Sequence, residues 1–232
     1  ASYVLITLGG RPDQVRAGMT YVVISLIAST LFLVSLAFIY AATGTVNMGA
    51  NNIWTTTNGS VGDVAGSSAE ITVSGAGSRL NTGVNLYVGN EGSGSLTVAY
   101  QGVVQAGAVM VARSGSATGN VSITGAGSEL TTDFLYIGGD RFGPASVATN
   151  GTVSVRGGGK LNAQTLFMGD AANSSGTLNV EGPGSALNTT LLIVGNNGAG
   201  TMLVSGGATV TNTTSSTYLG QAPGSSGSVW LT

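Results

Sequence analysis

From residue 71 onwards, apolar and polar residues alternate in short stretches that return at a near-constant interval. Ile71-Thr72-Val73, Leu96-Thr97-Val98, Val121-Ser122-Ile123, Val153-Ser154-Val155, Leu178-Asn179-Val180, Met202-Leu203-Val204 and Val229-Trp230-Leu231 begin 25, 25, 32, 25, 24 and 27 residues apart. A period of two within each stretch predicts a strand with one buried face, Ile71 and Val73 inward and Thr72 outward. A period near 25 between stretches predicts a solenoid, since one repeat cannot bury its apolar face without stacked neighbours. Gly-x-Gly-Ser turns follow at 75–78, 125–128 and 182–185. Glycine there permits positive φ and close backbone stacking. A second strand closes each repeat, as in Leu86-Tyr87-Val88-Gly89, Val109-Met110-Val111-Ala112, Leu135-Tyr136-Ile137-Gly138, Leu166-Phe167-Met168-Gly169, Leu192-Ile193-Val194-Gly195 and Tyr218-Leu219-Gly220. The expected fold is mostly β, a parallel β-helix of about six coils over residues 50–232, with two or three strands per coil. The leucine-rich-repeat pattern is absent, acidic residues are too sparse for calcium-binding nonapeptides, and an antiparallel sandwich is the structural alternative.

The pattern is different before residue 50. Ala17 to Ala42 is almost wholly apolar, and no charged residue occurs between Arg16 and Asp63. At ~1.5 Å per residue, such a run is long enough to cross a ~30 Å hydrocarbon layer as a helix. The expectation is one continuous α-helix over about 14–42, within an N-terminal domain of residues 1–49. Pro12 stands near its start and Gly44 near its end. Arg11 and Arg16 precede the run, which places the N-terminus in the cytoplasm and the repeats outside it.

Composition narrows the chemistry. Among 232 residues there are 39 glycines, and only 7% are charged, with a net charge of −2. A balance this poor in Lys and Arg argues against nucleic acid. Cysteine and histidine are both absent. No disulfide or thiolate metal site is therefore possible, and the usual general base and commonest metal ligand are missing. No catalytic residue, metal or cofactor is expected.

Candidate binding residues come from the second strand. Tyr87, Met110, Tyr136, Phe167, Ile193 and Tyr218 lie between residues that must be buried, which predicts an outward stripe suited to sugar faces or a second copy of the chain. The competing reading is a ladder that merely supports the sheet. Asp140 and Asp170 form a weaker candidate, an acidic pair expected at one turn position of successive coils, as a polysaccharide-cleaving enzyme would need. Arg156 and Lys160 share one turn, where a solvated pair is the plainer reading than a clamp for an anionic sugar.

Two resemblances follow from these motifs. Arg16-Ala17-Gly18-Met19-Thr20-Tyr21, Ala28-Ser29-Thr30-Leu31-Phe32-Leu33 and Tyr40-Ala41-Ala42-Thr43-Gly44-Thr45-Val46-Asn47-Met48 resemble one transmembrane segment of the antiporter-like subunits of complex I and Mrp-type antiporters. Residues 3–49 carry this likeness. Some members have a lysine near the position of Thr20, and threonine cannot relay a proton, so the segment is expected only to anchor the chain through residues 17–42. Gly-Ala-Gly-Ser, Leu-Tyr-Val-Gly-Asn and Gly-Ser-Gly-Ser-Leu-Thr-Val resemble the repeats of autotransporter passengers and PEP-CTERM-associated surface proteins over residues 55–232. That likeness implies a right-handed β-helix outside the cell. Together they imply a non-enzymatic, membrane-anchored bacterial surface protein for adhesion or self-assembly. The alternatives are a polysaccharide-binding or -cleaving β-helix and a piece of a proton-translocating antiporter fused to passenger repeats.

Overall fold

The computed structural model describes residues 20, 43–140, 148–213 and 216–232. The chain divides into two units, Ala1–Tyr40 and Ala41–Thr232. Of the first unit only Thr20 is described, and it is helical. The expected helix over 14–42 otherwise lies outside the described residues. Among the described residues, no helix is long and apolar enough to cross a membrane.

The second unit is a parallel β-solenoid. Its strands are β1 (Thr43–Met48), β2 (Ile53–Val61), β3 (Ser68–Ser74), β4 (Arg79–Val88), β5 (Ser93–Ala99), β6 (Val103–Val111), β7 (Thr118–Thr124) and β8 (Glu129–Ile137). There follow β9 (Asn150–Arg156), β10 (Lys160–Met168), β11 (Ser175–Glu181), β12 (Ala186–Val194), β13 (Ala199–Ser205), β14 (Thr209–Asn212), β15 (Thr217–Leu219) and β16 (Ser226–Leu231). One sheet runs β1-β3-β5-β7-β9-β11-β13-β16, and the other β2-β4-β6-β8-β10-β12-β14, with β15 also beside β12. Each coil therefore gives one strand to each sheet. There are about seven coils rather than six, because the solenoid starts at Thr43, inside the segment assigned from sequence to the anchor.

The register is the one the apolar spacing predicts. Ile71 pairs with Leu96, Leu96 with Val121, Val121 with Val153, Val153 with Leu178, Leu178 with Met202 and Met202 with Val229. Val46 extends the column by pairing with Ile71. The longest interval, Val121 to Val153, contains residues 141–147, which lie outside the described residues. Val73, Val98, Ile123, Val155 and Val180 are fully buried and Val204 nearly so, in one core cluster with Leu86, Leu135, Leu166 and their equivalents of the second sheet. Thr72, Thr97, Ser122 and Ser154 are half-buried on the other face.

Two local features set the cross-section. The first is a column of glycines in register: Gly94, Gly119, Gly151, Gly176, Gly200 and Gly227. Here the start of a first-sheet strand lies against the end of a second-sheet strand. A Cβ on Gly176 would stand 2.1 Å from the carbonyl oxygen of Ile137. Space, rather than positive φ, excludes a side chain there. The second feature is a bend in every complete second-sheet strand. In β8, Leu130, Thr132, Leu135 and Ile137 are buried, but Asp133 and Phe134 are both exposed. Two consecutive outward residues break the period of two and turn the strand into two arms. In the last coil those arms are separate strands: β14 pairs with Ala186–Thr189 of β12, and β15 with Leu192–Val194.

Candidate functional site

The expected stripe on the second strand is one continuous column. Tyr87 is in register with Met110, Met110 with Tyr136, Tyr136 with Phe167, Phe167 with Ile193 and Ile193 with Tyr218. It is not, however, a row of free faces. Phe167 and Ile193 are buried, Tyr87, Met110 and Tyr136 are half-buried, and Tyr218 alone of the six is exposed. The reason is mutual cover. The Tyr136 and Phe167 rings stack with centroids 5.1 Å apart and planes 6° apart. Tyr87 lies beneath the Arg113 guanidinium, 5.1 Å from its ring centroid. Rings at the spacing of a rung close on each other's faces, so the column supports the sheet more than it offers itself to a ligand. The exposed ring nearby is Phe134, which stacks on Tyr136 at 6.5 Å from a position beside the bend.

Asp140 and Asp170 do not share a turn position. Asp170 N–H donates to the Gly138 carbonyl, as Arg113 N–H does to Gly89, so Gly139 is the residue opposite Asp170 and Asp140 lies one further on. The insertion of a second glycine, Gly138-Gly139, causes the offset. Asp140 forms an ion pair with Arg113 at 3.3 Å, and Arg113 also donates to the Asn90 side chain at 3.1 Å. Asn90 in turn donates to Asp63 at 3.0 Å. Asp170 is fully buried and accepts a 2.6 Å bond from Asn196. The turn column is thus a chain of side-chain bonds between coils, with each carboxylate held by a neighbour. Arg156 similarly pairs with Glu181 at 3.1 Å, in register and more than half exposed. Lys160 stands between Glu129 and Ala186 in the second sheet, whereas Arg156 pairs with Glu181 in the first.

The bend makes a feature that the stripe argument missed. The outward residue just before it is Thr55, Asn81, Gln105, Thr131, Asn162, Asn188 and Thr211 in successive coils, all in register. Asn81 donates to Thr55 Oγ1 at 3.5 Å, Asn162 to Thr131 Oγ1 at 3.3 Å, and Asn188 to Asn162 Oδ1 at 2.8 Å. Beyond this ladder, Gln164 donates to Asp133 at 2.9 Å. The ladder borders an open groove with two adjoining hollows. One, of about 280 Å³, runs from Thr55 to Asp133, and the other, of about 180 Å³, from Thr131 to Thr213. The inward threonines of the bend are buried. Thr132 Oγ1 donates to the Gly107 and Phe134 carbonyls, and Thr189 Oγ1 to those of Gln164 and Leu191. Thr82 Oγ1 and Asn81 Oδ1, at the other end of the groove, are buried with no hydrogen-bond partner. The signal was in the sequence, as an apolar residue followed by Asn, Gln or Thr and then by Thr or Ala: Leu80-Asn81-Thr82, Val104-Gln105-Ala106, Leu130-Thr131-Thr132, Leu161-Asn162-Ala163 and Leu187-Asn188-Thr189.

Comparison with known proteins reaches the N-terminal part. The family described as "NADH:quinone oxidoreductase/Mrp antiporter, TM" matches residues 1–72. That match runs through β1 and β2 and into β3. The chain is 56% identical over 48 residues to a Na(+)/H(+) antiporter subunit of Alkalihalophilus pseudofirmus, covering 21% of this chain and 10% of that one. It is 40% identical over 62 residues to a Na(+)/H(+) antiporter subunit of Bacillus subtilis, covering 27% and 13%. It is 48% identical over 48 residues to a probable K(+)/H(+) antiporter subunit of Rhizobium meliloti, covering 21% and 9%. The chain thus spans about a tenth of the length of the curated relatives it matches. No solved structure matches it.

Proposed function

We propose that this chain is a non-enzymatic display scaffold, held at a membrane by its N-terminal segment and presenting the solenoid outside the cytoplasm for adhesion or self-assembly. The observation that carries this reading is the repeated columns of outward side chains in register over the coils, such as Thr55 to Thr211 and Tyr87 to Tyr218. Such a surface repeats one contact along its length, and repetition multiplies weak contacts into avidity. The carboxylates described above are engaged in the coil-to-coil network, and the chain has no histidine or cysteine, which leaves little for acid–base or nucleophilic chemistry. The likeness of residues 1–72 to a membrane family supports the anchor. The outside location rests on the sequence alone, on Arg11 and Arg16 before the apolar run and on repeat motifs that resemble passenger repeats.

Cells expressing the full chain are expected to adhere to a glycan-coated surface or to one another more than cells expressing residues 1–49 alone. Equal behaviour of the two would overturn the scaffold reading.

The N-terminal identity favours a second reading, a piece of an antiporter subunit joined to repeats. In that case the full chain would co-purify from mild detergent with other antiporter subunits. A scaffold would not.

A further inference from the structure

We propose that the groove at the strand bend binds an extended, uncharged hexose polymer lying along the solenoid axis. The inference rests on the scaffold reading and names its ligand.

The groove has the chemistry of a polyol site. Its ladder of amides and hydroxyls both donates and accepts, which suits a ligand whose hydroxyls do the same. The ladder repeats once per rung, at the ~4.8 Å spacing of parallel strands, about the length of one pyranose unit. Successive sugars therefore meet successive side chains in step. Bonds within the ladder, Asn188 to Asn162 and Asn162 to Thr131, hold the amides in place before a ligand arrives.

Charge decides against an ionic polymer. No lysine or arginine lines the groove, and the charged residue that does is Asp133, an anion bonded to Gln164. An acidic glycan would be repelled. Two exposed apolar side chains follow groove-lining residues in the chain, Phe134 after Asp133 and Val84 after Gly83, at 46% and 50% exposure. The ring offers a face to the C–H bonds of a pyranose.

A separate observation points to a missing partner. Thr82 is only 2% exposed, and its hydroxyl bonds to nothing, although Thr132 and Thr189 at the equivalent positions are satisfied. The register slips between Thr82 and Asn85, which separates this coil from the pattern of its neighbours. An unmet buried hydroxyl beside the unmet Asn81 Oδ1 is costly. Thr82 faces inward like Thr132 and Thr189, so the group that a sugar hydroxyl in the larger hollow would serve is Asn81 Oδ1, on the outward face.

The test uses the full chain in lipid nanodiscs free of glycoside detergent, titrated calorimetrically with linear neutral glucan and mannan oligomers of two, four and six units. Hexagalacturonic acid is the charged control. Affinity should rise at least ~10-fold from dimer to hexamer, and the acidic hexamer should bind at least ~10-fold more weakly than the best neutral one. Asn162→Ala with Asn188→Ala should lower hexamer affinity at least ~10-fold. Gly83→Gln is the second variant. A Cβ at Gly83, which lines the larger hollow, has its nearest neighbour at 3.8 Å, so a side chain can begin there without a clash, and a loss of binding in this variant is expected. No binding of any neutral hexamer would overturn the proposal. So would equal binding of the acidic one, or affinity unchanged in both variants. Cell adhesion measured alongside separates the two levels. Adhesion undiminished in groove variants that have lost hexamer binding sinks the groove as the adhesive site and leaves the scaffold standing. Hexamer binding without any adhesion by the wild type supports the groove and sinks the scaffold.

Discussion

At the scale of single residues, the structure turns on which of two neighbours faces inward. Ile123 is fully buried in the core, and Ser122 beside it is half-buried on the other face. Ile123→Asp would bury a charge with no partner and should destabilise by at least ~4 kcal/mol. Ser122→Asp should stay within ~0.5 kcal/mol, since its column neighbours Thr97 and Ser154 are neutral. Chemical denaturation of both variants checks this, and equal losses would refute the alternation. Glycines separate in the same way. Gly176→Ala places a methyl group 2.1 Å from a carbonyl oxygen, so it should cost about 3 kcal/mol. Gly83→Ala meets only ordinary contacts and should gain about 0.4–1 kcal/mol by stiffening the unfolded chain. Melting temperatures of the pair show the contrast.

At the scale of the element, the unit of the fold is the coil. Deleting Asn150–Ser174 removes one whole coil and joins Thr149 to Ser175, whose N–H already bonds the Thr149 carbonyl. That variant should still unfold cooperatively, with a lower denaturant m-value in proportion to its smaller core. Deleting residues 150–162 would place a second-sheet arm where a first-sheet strand belongs and should abolish folding. Dichroism and urea titration distinguish the two. Register has its own test, because the chain contains no cysteine. Thr97→Cys with Ser122→Cys joins direct partners and should oxidise to a disulfide, whereas Thr97→Cys with Thr124→Cys should not.

This scale also shows what was legible in advance. The first-sheet strands were, because a buried face every second residue and a core column every coil leave an apolar mark at both periods. Ile71, Leu96, Val121, Val153, Leu178, Met202 and Val229 fell in register as their spacing required. The bend was not, because it consists of one skipped alternation, and Asp133-Phe134 looks like a polar residue followed by the next strand. The exposure of the ring column was misjudged for a different reason. Alternation tells which way Phe167 points, but not that Tyr136 already covers its face. The Asp140 offset depended on one additional glycine. Of the candidate site, the polar ladder was written in the sequence but meaningless until the bend made it the edge of a groove.

At the scale of the molecule, the chain joins two unlike parts: a segment similar to about a tenth of an antiporter subunit, and a solenoid of about seven coils. The family match extends to residue 72 while the solenoid begins at Thr43, so residues 43–72 belong to both descriptions, the whole of Thr43–Met48 among them. As a strand those six residues place Val46 and Met48 in line with Ile71 and Val73. The scaffold reading depends on which side of the membrane the coils occupy. The most direct measurement is labelling of Thr201→Cys, an exposed position in the first sheet and the sole cysteine of that variant, with a membrane-impermeant maleimide on intact cells. The scaffold account predicts full labelling before lysis. Labelling that appears only after the cells are opened would place the coils inside and contradict it.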